Sequence, residues 1–395
     1  MKTILKTLTL SILGSQLACS PGTDSSKLSE AWDGQNAPGQ LRDEFIESGF
    51  NTKFDELKTE AKLSKMPWSG DYWATYRGGI SYRWNTRGSI EQKSKYDLIE
   101  DPSQLTSAQI RRLSPAEKFD LYAGYSNFAL TKAERRRTAV LTDDDIATWE
   151  GLCHAWAPAT VAFETPKPVT LTSLDGEYEI PFGASDVKAL LTYFVHSTRS
   201  PANYFLGRRC NRNFDELQEQ YENGEITLEQ LNAYKLGSDC KGVNAGSFHV
   251  VIANQIGEKD KSFMIDKTRD YQVWNQPVVS YTTNISETMA DGSAYEIYET
   301  AAPGTAKIVK VDMVMKYITE IRHYFDSPEY RTPRVDADVP ENYSYYLELD
   351  ADGHIIGGEW LTENRPDFMW KASIPSFAGP FAPIQDIYSA SIAAE

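Results

Sequence analysis

The spacing of apolar and polar residues divides the chain into a mostly helical first half and a strand-rich second half. Residues 41–63, LRDEFIESGFNTKFDELKTEAKL, have a composition and spacing typical of a helix with a break at Ser48-Gly49. Further along, Thr106 followed by Gln109 and Ser114 followed by Glu117 match the capping-box pattern. In that pattern the side chains of the cap and of the third helical residue bind each other's backbone amides. We therefore expect helices to begin at these two positions.

Short strands are predicted from residue 169 onward. Two segments, 169–172 and 178–180, flank an Asp175-Gly176 turn, which is typical of a β-hairpin. A helix should then begin at Ser185-Asp186. The further predicted strands are residues 247–253, 261–266, 307–315 and 345–349. Helices followed by antiparallel strands, with no internal repeat, predict an α+β fold and a single domain over residues 41–395.

Charge and composition exclude one class of partner. The 395-residue chain has a formal net charge of −16, and its sequence contains no basic stripe that could bind phosphates. A nucleic-acid partner is therefore not expected. The chain is 41% hydrophobic and 12% aromatic, which is an ordinary globular composition. No stretch after the first 18 residues is long and apolar enough to span a membrane.

The first residues predict export. Residues 1–18 place lysines before an apolar run and small residues, which is typical of a signal peptide. Leu17-Ala18-Cys19 also resembles the lipobox of bacterial lipoproteins, whose cysteine is acylated after cleavage in front of it. We expect a lipid on Cys19 to anchor the protein in the outer membrane or at the cell surface, with residues 19–40 as a flexible tether. Cleavage after Ala18 followed by secretion is the alternative.

Export changes how the other cysteines are interpreted. In an oxidising compartment, Cys210 and Cys240 are predicted to form a disulfide, with two buried free thiols as the alternative. Cys153 is then unpaired, and a lone cysteine in an exported protein is a candidate reactive thiol. It lies in an unusual segment, TWEGLCHAWAP. Because Pro158 fits an α-helix only in its first turn, we expect a helix that begins near Pro158 or is kinked just after the cysteine.

A nucleophilic cysteine needs a base, and the base needs an orienting group. His249 is a polar residue in an otherwise apolar predicted strand, GSFHVVIAN, and the next predicted strand is KSFMID. A turn centred between them makes His249 and Asp266 cross-strand partners, with Cβ atoms about 5 Å apart. We therefore predict Cys153, His249 and Asp266 as a catalytic triad. His154 is the weaker candidate for the base, because neighbouring side chains on a helix diverge by about 100°.

Four stretches resemble the transglutaminase elicitor family of oomycete pathogens. They are WSGDYW from Trp68, WEGLCHAWAP around Cys153, VWNQPV from Val273 and LELDADGHIIGGEW from Leu347. They occur in order over most of the chain, whereas the residues after Val278 depart from the family's elicitor peptide. The order of cysteine, histidine and aspartate is also that of papain-like and transglutaminase-like folds. The resemblance implies a bacterial, lipoprotein-like member with a transglutaminase-like catalytic core.

The resemblance implies protein-glutamine γ-glutamyl transfer. Cys153 would form a thioester with a glutamine side chain of a protein or peptide, His249 would carry the proton, and a lysine amine would complete an isopeptide crosslink. The side chains of Trp149, Trp156 and Trp274 would line the site, with core packing of at least two of them as the alternative. Calcium dependence is implied as well, with unknown ligands. With water as the acceptor, the same site would be a cysteine peptidase or glutamine deamidase. A catalytically inactive surface-binding module is the third alternative.

Overall fold

The computed structural model describes residues 32, 34–41, 49–84, 88–142, 145–198, 200, 203–237, 240–290, 301–321 and 338–394. The predicted signal peptide, Cys19 and the first part of the predicted tether lie outside these residues. The end of that tether is described and packs on the domain. Gln35 accepts a hydrogen bond from the backbone of Gly207, and Asn36 donates one to Gly242. The folded domain therefore includes residues that were assigned to the tether.

An antiparallel sheet forms the centre of the second half. Its strands are β1 (Glu60–Lys62), β4 (Asn203–Gly207), β5 (Met264–Asp266), β6 (Asn275–Ala290), β7 (Lys307–Ile318), β8 (Asp338–Leu349), β9 (Ile355–Trp360) and β10 (Phe368–Ala372). Seven of them follow the order β4-β10-β5-β6-β7-β8-β9, and β1 pairs with β6 outside this path. A separate hairpin contains β2 (Val169–Thr172) and β3 (Glu179–Phe182). The predicted α+β class is confirmed.

Helices supply the rest of the described core. They are α1 (Ile90–Ser94), α2 (Ser107–Ile110), α3 (Pro115–Tyr122), α4 (Ala129–Arg137), α5 (Cys153–Ala162), α6 (Ala184–Ser197), α7 (Phe214–Glu222), α8 (Leu228–Leu236), α9 (Ala245–Ile252) and α10 (Ala382–Ala393). Helix α5 packs against both α6 and β6, and α9 packs against β8 and β9. Trp156 and Phe248 are fully buried at these contacts. Helix α9 continues into a π-helical turn at Ala253–Glu258.

The local signals at helix starts and turns predicted these elements well. Thr106 and Gln109 form the expected capping box at α2, and Ser114 and Glu117 form one at α3. The hairpin around Asp175-Gly176 is confirmed by the pairing of β2 with β3. These signals are reliable because each satisfies backbone groups that would otherwise lack partners, whatever the rest of the chain does.

The helix predicted over residues 41–63 is wrong wherever this segment is described. Pro38–Leu41 and Phe54–Glu56 are 3₁₀ turns, and Glu60–Lys62 is strand β1. Ala61 pairs with Tyr281 of β6, while Leu57 and Leu63 are buried. Backbone pairing with a long strand and burial of two leucines override a helical propensity that amounts to only tenths of a kcal/mol per residue.

The strand predicted over residues 247–253 is also wrong, because this segment is helix α9. Asn244 caps the helix by accepting a hydrogen bond from the backbone amide of Ser247. A short apolar run that is buried on all sides has no periodicity that separates strand from helix. The cap was the signal that could have decided between them.

The predicted disulfide between Cys210 and Cys240 is confirmed. It closes a segment with a sequence separation of 30 residues that contains helices α7 and α8. In the chain-entropy treatment such a crosslink stabilises the folded state by roughly 3 to 4 kcal/mol. None of the helices in the described ranges is long and apolar enough to cross a membrane.

A buried ion pair between α3 and α6 provides a stability test. Lys118 and Asp186 are fully buried with nitrogen and oxygen 2.6 Å apart, and the carboxylate also accepts hydrogen bonds from Trp84 and Gly183. Lys118→Met should lower the free energy of unfolding by about 3 to 5 kcal/mol in urea titrations, because it leaves a buried carboxylate without its counterion. Lys53→Met, which removes an exposed ion pair with Glu56, should cost under about 1 kcal/mol. Equal losses in the two variants would contradict this assignment.

Candidate active site

Cys153 is the first residue of helix α5. Pro158 lies in the interior of this helix, and Cys153 and the turn after it are both helical. The proline lacks an amide hydrogen, and the backbone carbonyl of His154 therefore loses its usual partner four residues on. Of the two predicted alternatives, a helix start near Pro158 is therefore wrong, because the helix begins five residues earlier at Cys153. This position places the thiol at the positive end of the helix dipole, where a thiolate is favoured.

The loop before Cys153 is held by a second segment of the chain. The backbone amide of Leu152 donates a 2.5 Å hydrogen bond to the carbonyl of Tyr72, and Thr75 donates one to Glu150. At Gly151 an added Cβ would lie 2.5 Å from that same Tyr72 carbonyl, so only glycine allows the approach. Two of the family-like stretches, WSGDYW and WEGLCHAWAP, are therefore in direct contact.

The pairing of β5 with β6 and with β10 puts four side chains on one face of the sheet, next to the thiol of Cys153. Asp266 of β5 lies directly opposite Asn275 of β6 and opposite Phe368 of β10. On β10, Trp370 lies two residues from Phe368 and opposite Phe205 of β4. Residues that face each other across antiparallel strands share one side of a sheet, as do residues two apart on one strand. Asp266, Asn275, Phe368 and Trp370 therefore belong to a single face.

The sulfur of Cys153 meets this face at the start of β6. Its thiol donates a hydrogen bond to the carbonyl of Val273 at 3.4 Å, and Nδ2 of Asn275 donates to Sγ at 3.6 Å. Oδ1 of Asn275 in turn accepts a 2.7 Å hydrogen bond from Nε1 of Trp370. The cysteine is 5% exposed and Asn275 is 3% exposed. A continuous hydrogen-bonded chain therefore runs from β10 to the thiol.

Burial determines the resting charge of the thiol. Loss of solvation raises the pKa of Cys153 to about 11, and hydrogen bonds from the backbone and side chain of Asn275 oppose this increase. The negative charges of Glu320 and Asp266 raise the pKa further. The cysteine is consequently a neutral thiol at neutral pH, and its reaction needs a group that accepts the proton.

Asp266 has the properties of such a group. Its Oδ1 accepts a hydrogen bond from the backbone amide of Trp274 at 3.2 Å, while Oδ2 is buried without a hydrogen-bond partner among the described residues. Burial raises the pKa of this carboxyl group well above its usual value. A carboxylate whose pKa is raised in this way binds a proton more readily than an exposed one.

The structure does not bring His249 to Cys153. His249 is on helix α9, where its Nδ1 lies 2.8 Å from the hydroxyl of Tyr345 and its ring packs against Phe54. Burial lowers the pKa of His249 to about 4. The predicted cross-strand pairing of His249 with Asp266 is wrong because His249 is not in a strand, and the partner of Asp266 on β6 is Asn275.

A cavity of about 700 Å³ opens above Cys153. Its other lining residues include aromatic, cationic and polar side chains from α4, α5, α6, β4, β6, β10 and the loops beside them. Among them are Arg137, Trp149, His154, His196, Phe205, Arg209, Asn275, Phe368 and Trp370. His154 and His196 are in contact, with Nε2 and Nδ1 3.0 Å apart. His249 is not among the described residues that line this cavity.

The three tryptophans predicted to wall the site have different positions. Trp149 lines the cavity. Trp156 is completely buried in the core and is not one of the described lining residues. Trp274 lies beside the site, where its amide binds Asp266 and its ring packs against Tyr72, but it is not one of the described lining residues.

The residues that sequence reasoning missed are Asn275 and Trp370. Asn275 lies within the VWNQPV stretch, which was noted for its family likeness and not for its chemistry. Trp370 belongs to no recognisable sequence motif, and its position beside Asn275 depends on the register of β10 against β5. The described residues contain no cluster of three or more histidine, cysteine, aspartate or glutamate side chains that could hold a metal ion. Calcium dependence therefore stays a prediction, with unknown ligands.

Comparisons with known proteins identify the family and support the fold. A family model described as transglutaminase elicitor matches residues 40–378. Among solved structures, the chain is similar to the GP42 transglutaminase from Phytophthora sojae, with a TM-score of 0.60 and 22% sequence identity. The similarity covers 88% of this chain and 95% of that one. No curated protein matches the chain.

The pKa of Cys153 can be tested by alkylation. The thiolate is the species that reacts with iodoacetamide, and burial keeps Cys153 neutral until about pH 11. The alkylation rate, followed by mass spectrometry of the Cys153 peptide, should be low at pH 7 and rise about tenfold per pH unit without a plateau below pH 10. The urea-unfolded chain is the control and should level off near pH 8.5 to 9. A plateau below pH 8 in the folded protein would contradict the assignment.

Proposed function

Because the chain belongs to the transglutaminase elicitor family, we propose that it is a transglutaminase that uses Cys153 as its nucleophile. One observation carries this proposal. The thiol lies at the first residue of α5, lines a cavity of about 700 Å³, and has a buried amide and a buried carboxylate on the sheet face beside it. A cysteine in this setting suits acyl transfer, since a nucleophile, a proton acceptor and an amide donor are close together.

The first half-reaction forms a thioester. The proton leaves the sulfur of Cys153, and the sulfur attacks the side-chain carbonyl carbon of a glutamine in a protein or peptide. A tetrahedral intermediate with a negatively charged oxygen results, and the backbone amide of Cys153 is positioned to donate to that oxygen. The carbon–nitrogen bond then breaks, and the nitrogen takes up the proton and departs as ammonia.

We propose Asp266 as the group that takes the proton from Cys153. It shares a sheet face with Asn275, which touches the sulfur, and its Oδ2 lacks a hydrogen-bond partner among the described residues. Glu320 is a second buried carboxylate whose charge acts on the thiol. Its Oε1 also lacks a hydrogen-bond partner among the described residues, but its Oε2 accepts a hydrogen bond from the side chain of Gln276. Gln276 points to the opposite sheet face from Asn275. The role of the base predicted for His249 has no support in its surroundings.

The second half-reaction resolves the thioester. A lysine amine attacks the carbonyl carbon, the bond to the sulfur breaks, and an isopeptide crosslink leaves the enzyme as the sulfur regains a proton. Water in place of the amine would give a glutamate side chain, so that the protein would act as a deamidase. Both outcomes use the same thioester, and the acceptor alone separates them.

Family membership and the disulfide between Cys210 and Cys240 indicate an exported protein. We propose that it acts outside the cytoplasm on protein substrates, and that Cys19 carries the lipid which anchors it to the outer membrane. Metabolic labelling with a fatty-acid analogue would test the anchor, since Cys19→Ser should remove the label.

Amine incorporation tests the proposed activity. The purified protein should attach a fluorescent primary amine to a glutamine donor protein, and Cys153→Ala should reduce incorporation at least about 10³-fold, because no thioester can form. The assay is run with calcium and with a chelator, since the calcium expected from the family is untested. Release of ammonia without incorporation of label would replace transfer by hydrolysis. Full activity of Cys153→Ala would overturn the proposal.

The assignment of the base gives a separate prediction. Asp266→Asn should lower kcat by about 10² to 10⁴-fold, because the amide cannot accept the thiol proton. His249→Gln should keep kcat within about threefold of the wild-type value in variants that remain folded by circular dichroism.

The pH dependence provides the control. Burial raises the pKa of Asp266 well above its usual value, and the base must be ionised to act. The acid limb of kcat/KM should therefore lie above the ordinary carboxyl range of about pH 4, and activity should fall as pH decreases through it. Retention of that limb in Asp266→Asn, or its loss in Glu320→Gln, would reject Asp266 as the base.

A further inference from the structure

The amide of Asn275 is held in one orientation by a donor that cannot accept a hydrogen bond. The oxygen and nitrogen of an asparagine amide are distinguished through their partners. The indole N–H of Trp370 only donates, so the atom of Asn275 that it contacts at 2.7 Å is Oδ1. The other amide atom is then Nδ2, a donor, and it lies 3.6 Å from the sulfur of Cys153.

We infer that the side-chain amide of Asn275 is a catalytic donor, which stabilises negative charge on the Cys153 sulfur and then on the oxygen of the tetrahedral intermediate, and that Trp370 is the positioning residue that aims it. This inference rests on the proposed function. The amide already points at the sulfur in the resting enzyme, so it needs no reorganisation when charge develops there.

The contacts of the neutral thiol support a role for Asn275 that begins when the proton leaves the sulfur. The S–H group donates to the carbonyl of Val273, which can only accept. After ionisation the sulfur no longer offers a hydrogen to that carbonyl, and the remaining side-chain contact is the donor Nδ2 of Asn275. Asn275 is 3% exposed, so its amide is largely removed from bulk solvent. A donor in such surroundings contributes more than one in bulk solvent.

The indole of Trp370 is fixed by its own packing. Its ring stacks on Phe205 with centroids 5.5 Å apart and planes inclined by 5°. Trp370 is 7% exposed, whereas Phe205 is 49% exposed and faces the cavity. The stack keeps the N–H directed at Oδ1 of Asn275. Without that donor, rotation of the amide by half a turn would present Oδ1 to the sulfur and repel the negative charge.

The Asn275 role is tested with Asn275→Ala in the full-length protein. Two quantities are measured, namely amine incorporation into a glutamine donor and the pH profile of Cys153 alkylation by iodoacetamide. We expect kcat to fall by about 10² to 10³-fold with KM within about threefold, since the donor acts on charge that develops in the transition state. We also expect the alkylation profile to move to higher pH, because the thiolate loses a donor.

The Trp370 role is tested with Trp370→Phe, which keeps an aromatic ring and removes the N–H. Its kcat should fall at least about tenfold with little change in KM. Trp360→Phe is the matched control, because the indole of Trp360 donates at 2.7 Å to the backbone carbonyl of Val243, away from the thiol. This control should keep the wild-type kcat and alkylation profile even if its melting temperature falls as much.

The outcomes separate this inference from the proposed function. If wild-type protein shows no turnover, the proposed function fails, but the alkylation profiles of Asn275→Ala and Trp370→Phe still test the donor. An unshifted profile in Asn275→Ala, or a kcat within threefold of wild type, overturns the role of Asn275. Equal effects of Trp370→Phe and Trp360→Phe on both measurements overturn the positioning role of Trp370.

Discussion

Helix α5 packs on strand β6, and this contact sets the geometry of the site. It brings the first residue of the helix, Cys153, against the first residue of the strand, Asn275. The same strand end pairs with β5, so Asp266 is carried to the same face. A shift of β5 by one residue would turn Asp266 to the other side of the sheet. The packing of α5 on β6 and the register of β5 against β6 therefore together determine which side chains surround the thiol.

The sequence singled out Cys153 but did not predict which side chains surround its thiol. Cys153 was identified by elimination, because the disulfide accounts for Cys210 and Cys240. Its helix was expected either to begin near Pro158 or to be kinked just after the cysteine, and the helix that begins at Cys153 excludes the first alternative. Helix caps at Thr106 and Ser114 were predicted correctly, since each depends on neighbours within one turn.

The partners of the thiol could not be predicted, for a physical reason. His249 was predicted to lie on a strand, because a run of buried apolar residues has no periodicity that distinguishes a strand from a helix. Once α9 is a helix, the hairpin that joined His249 to Asp266 does not exist. The real neighbours, Asn275 and Trp370, come together through pairing of β5 with both β6 and β10. The register between strands that are far apart in sequence is set by the whole sheet, and no short sequence motif indicates it.

The burial of Cys153 affects how long the thiol of an exported protein survives oxidation. Oxidants such as peroxide attack thiolates, and exposed ionised cysteines progress to sulfinic and sulfonic acids that cannot be restored. Cys153 remains protonated and 5% exposed, while Cys210 and Cys240 are already joined. The chain can therefore keep its one described free thiol reduced in an oxidising medium. The raised pKa of Cys153 makes the thiol less reactive in the resting protein, and for the same reason it protects the thiol from oxidation.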